Sequence, residues 1–198
     1  MSVSLKKGQK VSLTKENAGL SRIIVGLGWD EARPVKSGFG FFTKKTQDID
    51  CDAFAILLQN GKLVDSKDIV YFGSLTHHSG AVQHMGDNLT GAGEGDDEQI
   101  VIDLQKVPSK YDRIVIAVNI YKARERNQQF GMIENAFIRL VDARSNKEMC
   151  IYNLTDNYVG QTAMLFGEVY RYNSEWKFNA VGQGTGDGSI SEFARRYL

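Results

Sequence analysis

The sequence predicts an all-β fold, an antiparallel β-sandwich with short helical segments that include one at the C-terminus. Three observations predict it. The 198 residues include 20 glycines and only 2 prolines, a balance typical of strands joined by glycine turns. Most apolar runs are short and contain the Val, Ile, Phe and Tyr residues that favour strands. These runs recur at regular spacing, so about nine or ten strands are expected.

The spacing of apolar residues assigns the strands in order. The first predicted strand alternates apolar and polar residues like a half-buried edge strand, and the second is apolar throughout like a strand buried on both faces. Residues 31–47 have no period and are interpreted as a long connection. The third strand ends at the hairpin signal Asn60-Gly61. The predicted strands cover residues 9–15, 22–27, 48–58, 69–72, 98–104, 113–121, 133–141, 147–154, 163–172 and 175–181.

Two segments favour helical structure. Residues 122–129 are charged and rich in amides, which predicts a solvated loop or a helical turn. Near the C-terminus, Ser189 and Glu192 have the spacing of a capping box. Apolar residues follow at helical spacing, so one short helix is expected to close the chain.

The length fits one domain, which we assign to residues 1–198. The 24 basic and 24 acidic residues balance, so there is no basic surface that predicts nucleic-acid binding. Two cysteines indicate a reducing compartment, not a disulfide framework. The N-terminus lacks the apolar region of a signal peptide, and no run reaches the roughly 20 apolar residues of a membrane span. A soluble, cytoplasmic protein without direct membrane insertion is expected.

Residues 86–98, GDNLTGAGEGDDE, hold five carboxylates and four glycines without a Lys or Arg. Like charges this close repel one another unless a cation or solvent screens them. Glycines allow tight turns that bring carbonyl oxygens inward. Carboxylate and carbonyl oxygens are the ligands that calcium prefers, whereas zinc prefers His and Cys. The segment therefore predicts a calcium site.

Strand alternation relates these acids to the core. Asp96 and Glu98 are in phase with the apolar residues of the following strand, whereas Asp97 is expected to point outward. Asp48, Asp50 and Asp52 are likewise in phase with Phe54 and the apolar residues after it. A carboxylate directed at a core must be neutralised, and around Asp96 and Glu98 there is no Lys or Arg from residue 68 to residue 105. If successive strands alternate direction, the segments at Asp30, residues 48–52 and Glu98 meet at one edge.

Two known motifs do not fit the acidic segments. An EF-hand fails in both registers, because Leu89 and Ala92, or Ala53 and Gln59, occupy ligand or glycine positions. A phosphate loop lacks its Lys-Ser or Lys-Thr pair. A solvated acidic loop stays open, as does a metal-dependent hydrolase that uses the same carboxylates. The residues His77, His78, His84 and Cys51 have no zinc-site spacing, so the histidines are expected to be exposed in a loop.

Five motifs in sequence order resemble the TerD family of tellurium-resistance and stress proteins. They are GLGWD at 26–30, DIDCDAF at 48–54, GDNLTGAGEGDDE at 86–98, NAFIRLVD at 135–142 and FGEVYRYNSEWKFNAVGQG at 166–184. The resemblance implies a β-sandwich that binds two adjacent Ca²⁺ ions and is linked to tellurite resistance, phage inhibition and stress response. It implies no catalytic activity. It also implies calcium-dependent assemblies with related Ter-family proteins and a membrane-protein partner.

The resemblance also implies the metal ligands. They come from the acid that closes GLGWD, from the D-x-D motif, and from the GDN and GDDE motifs with the glycine loop between them. The implied set is Asp30, Asp48, Asp50, Asp87, Asn88, Gly91, Gly93, Asp96, Asp97 and Glu98. Cys51 and Asp52 stand where the family more often has Ala and Ser. Asp52 is therefore an additional acid that can join the site or face solvent.

Overall fold

The computed structural model describes residues 2–31, 48–86 and 95–198. Within these ranges, twelve strands form two six-stranded sheets, which confirms the predicted all-β sandwich. Most of the predicted connection at 31–47 lies outside the described residues. The strands are β1 Val3–Leu5, β2 Lys10–Ser12, β3 Arg22–Glu31, β4 Cys51–Leu58, β5 Ile69–Val70, β6 Val82–His84, β7 Glu98–Asp103, β8 Arg113–Ile120, β9 Ile133–Asp142, β10 Lys147–Asn153, β11 Ala163–Tyr172 and β12 Glu175–Thr185.

The first sheet has the order β1-β10-β9-β3-β7-β6, and the second has the order β2-β12-β11-β8-β4-β5. Neighbouring strands pair antiparallel except β1 and β10, which pair parallel. The three-residue strands β1 and β6 were not predicted, because neither is long enough to show a period. Both lie at edges of the first sheet, where a short strand suffices to complete the pairing.

The main apolar core lies between the sheets. From β3 it receives Ile23, Val25 and Leu27, each with no exposed surface. From β4 it receives Ala53 and its alternate neighbours on the same face. Burial of these side chains from both sheets is the main favourable contribution to the sandwich.

A second, smaller apolar cluster covers the outer face of the second sheet. Phe54 packs edge to face against Phe193 of the C-terminal helix, with ring centroids 5.2 Å apart. The Phe54 face of β4 was predicted to point into the core with Asp50 and Asp52, but it faces this outer cluster instead. Both faces of β4 are buried, so alternation alone could not tell the interior from the outer face.

The predicted helical segments are present. Helix α1 spans Ala123–Arg126 and helix α2 spans Ile190–Ala194. The Ser189 hydroxyl accepts the Glu192 amide hydrogen at 3.1 Å, as predicted for the helix cap. The Glu192 carboxylate accepts the Gly188 amide hydrogen at 2.8 Å. Among the described residues, no helix has the length and apolar character needed to cross a membrane.

Candidate metal centre

Three hydrogen bonds join the acidic segments at one end of the sandwich. The Asp97 Oδ2 atom accepts the Trp29 amide hydrogen at 2.7 Å, and Glu98 Oε2 accepts that of Ala53 at 2.5 Å. Glu31 Oε1 accepts the Ile49 amide hydrogen at 2.5 Å. The end of β3, the start of β4 and the start of β7 therefore meet, as the alternation of strand direction predicts. We call the meeting place of residues 30–31, 48–52 and 96–98 the acidic junction.

Glu98 is the most deeply placed acid of the acidic junction, with 2% of its surface exposed. Beside it, the buried His84 accepts the Gly86 amide hydrogen at Nδ1, 3.1 Å away. Its Nε2 atom therefore carries the proton, and it lies 3.1 Å from the Ala53 carbonyl oxygen and 3.5 Å from Glu98 Oε2. The inward direction predicted for Glu98 is confirmed. The expected exposure of the histidines was wrong for His84, which lies on the short strand β6 that the sequence did not reveal, and for His77, which is 1% exposed. It is confirmed for His78.

Asp97 is also buried, with 8% exposed, although the alternation predicted that it points outward. It precedes the first residue of β7, so the alternation of that strand does not extend to it. Burial raises the pKa of Asp97, and the charges of Asp30 and Asp96 raise it further, against the lowering effect of the Trp29 amide. A cation near Asp97 would relieve this unfavourable charge.

Asp96 lies on the outer face of the first sheet, so its predicted inward direction was wrong. A Cβ atom on Gly26 would lie 2.2 Å from Asp96 Oδ2, and Gly26 faces outward because Val25 and Leu27 face the core. Arg139 donates to Asp96 from Nε at 2.6 Å and from Nη2 at 3.1 Å. The expectation that no basic residue neutralises these acids was therefore also wrong for Asp96, because Arg139 is adjacent in space but 43 positions away in sequence.

The acids before and within β4 have different surroundings. Asp48 is exposed, and Asp50 is half-buried with Arg126 Nη1 at 3.5 Å from its Oδ2. Asp52 is buried and faces a cavity beside helix α2 that Asn119 and Ser189 also line. With 5% of its surface exposed, Asp52 is largely shielded from solvent.

The acids still act together electrostatically. Burial raises the pKa of the Cys51 thiol well above its ordinary value, and the charges of Glu98, Asp52, Asp50 and Glu31 raise it further. Acids from β3, β4 and β7 therefore produce a negative potential at one buried atom. Arg126 lies beside Asp50, and Arg139 lies beside the neighbouring acid Asp96.

The structure describes six of the predicted ligands, and all six belong to the segments that form the acidic junction. These are Asp30, Asp48, Asp50, Asp96, Asp97 and Glu98. Asp30 is exposed, and the Asn135 side-chain amide donates to its Oδ2 at 2.8 Å. The remaining predicted ligands, Asp87, Asn88, Gly91 and Gly93, lie outside the described residues. The oxygen donors of the six acids fit a hard cation such as Ca²⁺.

Sequence reasoning missed three residues in or beside the acidic junction. Glu31 follows Asp30 directly and holds the Ile49 amide, and its signal was an acid adjacent to a motif acid. Arg139 alternates with the apolar residues Ile138 and Leu140, which could have marked it as facing away from the core. His84 had no sequence signal, because its burial depends on pairing between β6 and β7.

Comparisons with known proteins agree with the resemblance. The TerD domain matches residues 1–197. The chain is 54% identical to stress response protein SCP2 of Bacillus subtilis over 100% of both chains. It is 47% identical to tellurium resistance protein TerD of Serratia marcescens, over 98% of this chain and 97% of that protein.

The fold comparison gives the same result. A crystal structure of a homologue of telluride resistance protein from Streptomyces coelicolor has a TM-score of 0.64 at 22% identity, over 89% of this chain and 96% of that chain. At this identity, the likeness concerns the fold. The family model matches nearly the whole chain, and these relatives align with it over nearly their full length. The chain therefore belongs to the TerD family of tellurium-resistance and stress-response proteins.

Proposed function

We propose that this chain is a calcium-binding stress-response protein, with two adjacent Ca²⁺ ions at the acidic junction. The observation that carries the proposal is the buried pair Asp97 and Glu98, whose carboxylates reach into the ends of two different sheets. Burying carboxylates costs several kcal/mol unless charge or hydrogen bonds compensate. The amide hydrogen bonds from Trp29 to Asp97 and from Ala53 to Glu98 offset part of that cost.

The ligands would come from three segments. Asp30 from β3, Asp48 and Asp50 before β4, and Asp97 and Glu98 at β7 supply carboxylate oxygens, and Asp87, Asn88, Gly91 and Gly93 supply the rest. In this proposal, the Arg139 guanidinium already balances the negative charge of Asp96. Asp96 therefore contributes little charge to the metal site and mainly fixes the position of its neighbours. The metal would then bind the three segments to one another.

The biological role follows from the family. Relatives are named for stress response and for tellurium resistance, and we propose that this chain acts in the same responses, including phage inhibition. It would serve as a calcium-dependent scaffold or interaction module without catalytic activity of its own. Its partners would be related Ter-family proteins and a membrane protein. Two free, buried cysteines favour a cytoplasmic location.

Thermal unfolding tests calcium binding directly. Metal-stripped protein should gain roughly 2.7 kcal/mol when Ca²⁺ is about 100-fold above its dissociation constant, which raises Tm by roughly 5–11 °C for a chain of this size. The Asp97→Asn variant should lose most of that gain. Glu16→Gln, which removes one charge from an exposed acid outside the acidic junction, is the matched control and should keep it. An unchanged Tm under Ca²⁺ would rule the proposal out.

The interaction role needs a separate measurement. Tagged protein purified from cell extract with Ca²⁺ should retain Ter-family and membrane partners that a chelator releases. The Asp97→Asn variant should retain none of them in either condition. Partners that bind equally with chelator would show that calcium does not control the assembly.

A further inference from the structure

We propose that Asp68, His77 and His78 form a second metal site, which takes zinc or a similar first-row transition ion. The site is separate from the acidic junction and does not depend on the proposed calcium function. Its three ligand atoms lie within 4.8 Å of one another. Two imidazoles and one carboxylate form the type of donor set that binds zinc, whereas calcium prefers oxygen alone.

The fold brings these residues together at the edges of the two sheets. Asp68 is the last residue of the 3-10 turn Ser66–Asp68, directly before the edge strand β5 of the second sheet. His77 and His78 belong to the turn before β6, the edge strand of the first sheet. In that turn, His77 donates its amide hydrogen to the Val82 carbonyl at 2.9 Å and accepts that of Gly80 at 2.8 Å. Gly80 has φ +69, a conformation that glycine adopts without strain.

The distances are close to those that a bound ion requires. His77 Nε2 lies 3.2 Å from Asp68 Oδ1, and His78 Nδ1 lies 4.0 Å from the same oxygen. A tetrahedral zinc ion with bonds of about 2.0–2.2 Å separates its ligand atoms by roughly 3.3 Å. Small side-chain rotations are therefore sufficient to place the three atoms around one ion.

Asp68 gives an independent indication of a ligand. The residue is 1% exposed. Its Oδ1 atom accepts the Tyr111 hydroxyl hydrogen at 2.6 Å. The Oδ2 atom is buried and has no hydrogen-bond partner among the described residues. A buried carboxylate oxygen without a partner is unusual, and a cation bound by this carboxylate would offset its buried charge.

The neighbours of the site can hold the ligands in the required form. When His77 Nε2 binds a metal, the proton must lie on Nδ1. In the structure Nδ1 accepts the Ser79 amide hydrogen at 3.2 Å, so metal binding requires the proton to move from Nε2 to Nδ1. The Ser79 hydroxyl oxygen, 2.7 Å from Nδ1, can then accept a hydrogen bond from that proton. The Tyr111 hydroxyl donates a hydrogen bond to the Asp68 carboxylate and holds its orientation. Metal-binding histidines and carboxylates commonly have such partners.

The site has a closed side and an open side. His77 and Asp68 are buried, whereas 52% of the His78 side chain is exposed. An ion can therefore enter beside His78. Three protein ligands leave the fourth position of a tetrahedral ion to water or to an external ligand.

Cobalt absorption tests the proposal, because bound Co²⁺ absorbs visible light more strongly when it has few ligands. The full chain is first saturated with Ca²⁺, which occupies the acidic junction, and then titrated with Co²⁺. We expect one equivalent of Co²⁺ to bind with a new visible band that Zn²⁺ abolishes. A repeat without Ca²⁺ should give the same band, so this result stands even if the calcium proposal fails.

Two variants locate the ion. His78→Ala changes an exposed side chain, so the fold should persist, and Co²⁺ and Zn²⁺ affinity should fall by more than roughly 100-fold, beyond the usual effect of an outer partner. Gln83→Ala, an exposed change on the same hairpin, should bind as the parent does. Tyr111→Phe should retain the band with an affinity lower by roughly 10–100-fold. The absence of a band, or an unchanged affinity in His78→Ala, would overturn the proposal.

Discussion

The Glu98 carboxylate in one sheet accepts the amide hydrogen of Ala53 in the other sheet at 2.5 Å. This contact fixes the start of β7 against the start of β4 at the acidic junction. His84 Nε2 lies 3.5 Å from the same oxygen. Contacts with both sheets therefore fix the position of the Glu98 side chain before any metal binds. Its negative charge is what would attract a metal ion.

Glu98→Gln should separate this placement from calcium binding. The amide oxygen can still accept the Ala53 hydrogen, so the free energy of unfolding in chelator should change by less than about 1 kcal/mol. The stabilisation by Ca²⁺ should fall by more than half, because a neutral ligand replaces a charged one. Urea unfolding with Ca²⁺ and with chelator measures both quantities. A calcium effect as large as that of the parent protein would remove Glu98 from the site.

Gly26→Ala should destabilise the fold through Asp96. The added methyl group would lie 2.2 Å from Asp96 Oδ2, so the carboxylate must leave Arg139 or the strand must move. Forced contacts of this kind cost roughly 1–3 kcal/mol. Urea unfolding in chelator measures the loss. Gly186→Ala, where an added methyl group meets nothing within 4 Å, is the matched control and should change stability little.

Repeating Gly26→Ala in an Asp96→Ala background tests whether the Asp96 carboxylate causes the destabilisation. With Asp96→Ala already present, the carboxylate is gone, and Gly26→Ala should then cost less than about 0.5 kcal/mol. The difference between the two backgrounds is the coupling energy of a double-mutant cycle. Equal costs in both backgrounds would show that the glycine is needed for another reason.

The sequence predicted the strands and the meeting of the acidic segments because both depend on local patterns. A continuous apolar run marked β3, and alternating apolar residues marked β7. Alternating strand direction then brought Asp30 and Glu98 to one end. The direction of each acid was less predictable. Asp96 and Asp97 precede β7, so the phase of that strand did not apply to them.

The counter-charges could not be predicted because they come from distant parts of the chain. Arg139 is on β9 and reaches Asp96 only because β9 and β7 both pair with β3. The Asp68 and His77 pair has the same origin, since the two residues approach where β5 and β6 form the edges of different sheets. The spacing of the histidines alone did not predict a zinc site. The carboxylate that completes the cluster, Asp68, lies nine positions before His77.

The two thiols should react slowly in the folded protein. Cys51 and Cys150 are 3% and 2% exposed, and burial raises the pKa of Cys150 to about 12. Burial and the surrounding carboxylates also raise that of Cys51. Because the thiolate is the reactive form, a thiol reagent should modify the native protein at least about 100-fold more slowly than the unfolded chain.

Single variants assign the rates to each thiol. Cys150→Ala leaves Cys51 as the reporter of the acidic junction, and Cys51→Ala leaves Cys150 as the reporter of β10. Fast modification of Cys51 in the native protein would contradict its burial. Slow modification of both would exclude direct thiolate chemistry on tellurite by the folded chain.

Asp187 should make the stability of the C-terminal segment depend on pH. Burial disfavours its charged form, but hydrogen bonds from Arg196 Nε and the Thr185 hydroxyl, each 2.6 Å long, outweigh burial and lower the pKa of Asp187. A carboxyl with a lowered folded-state pKa stabilises the protein above its ordinary pKa of about 3.9. That stability is lost as the pH falls through the lower folded-state value.

Asp187→Asn should therefore lower the unfolding free energy by roughly 1–2 kcal/mol at pH 7, since hydrogen bonds to a charged group contribute about 1.5–3 kcal/mol and Arg196 is partly exposed. The difference from the parent should shrink as the pH falls below about 4, because the parent carboxyl is then protonated as well. Urea unfolding across this pH range measures it. Arg196→Gln and the double variant complete the cycle, and a difference that stays constant with pH would show that the Asp187 charge is not responsible.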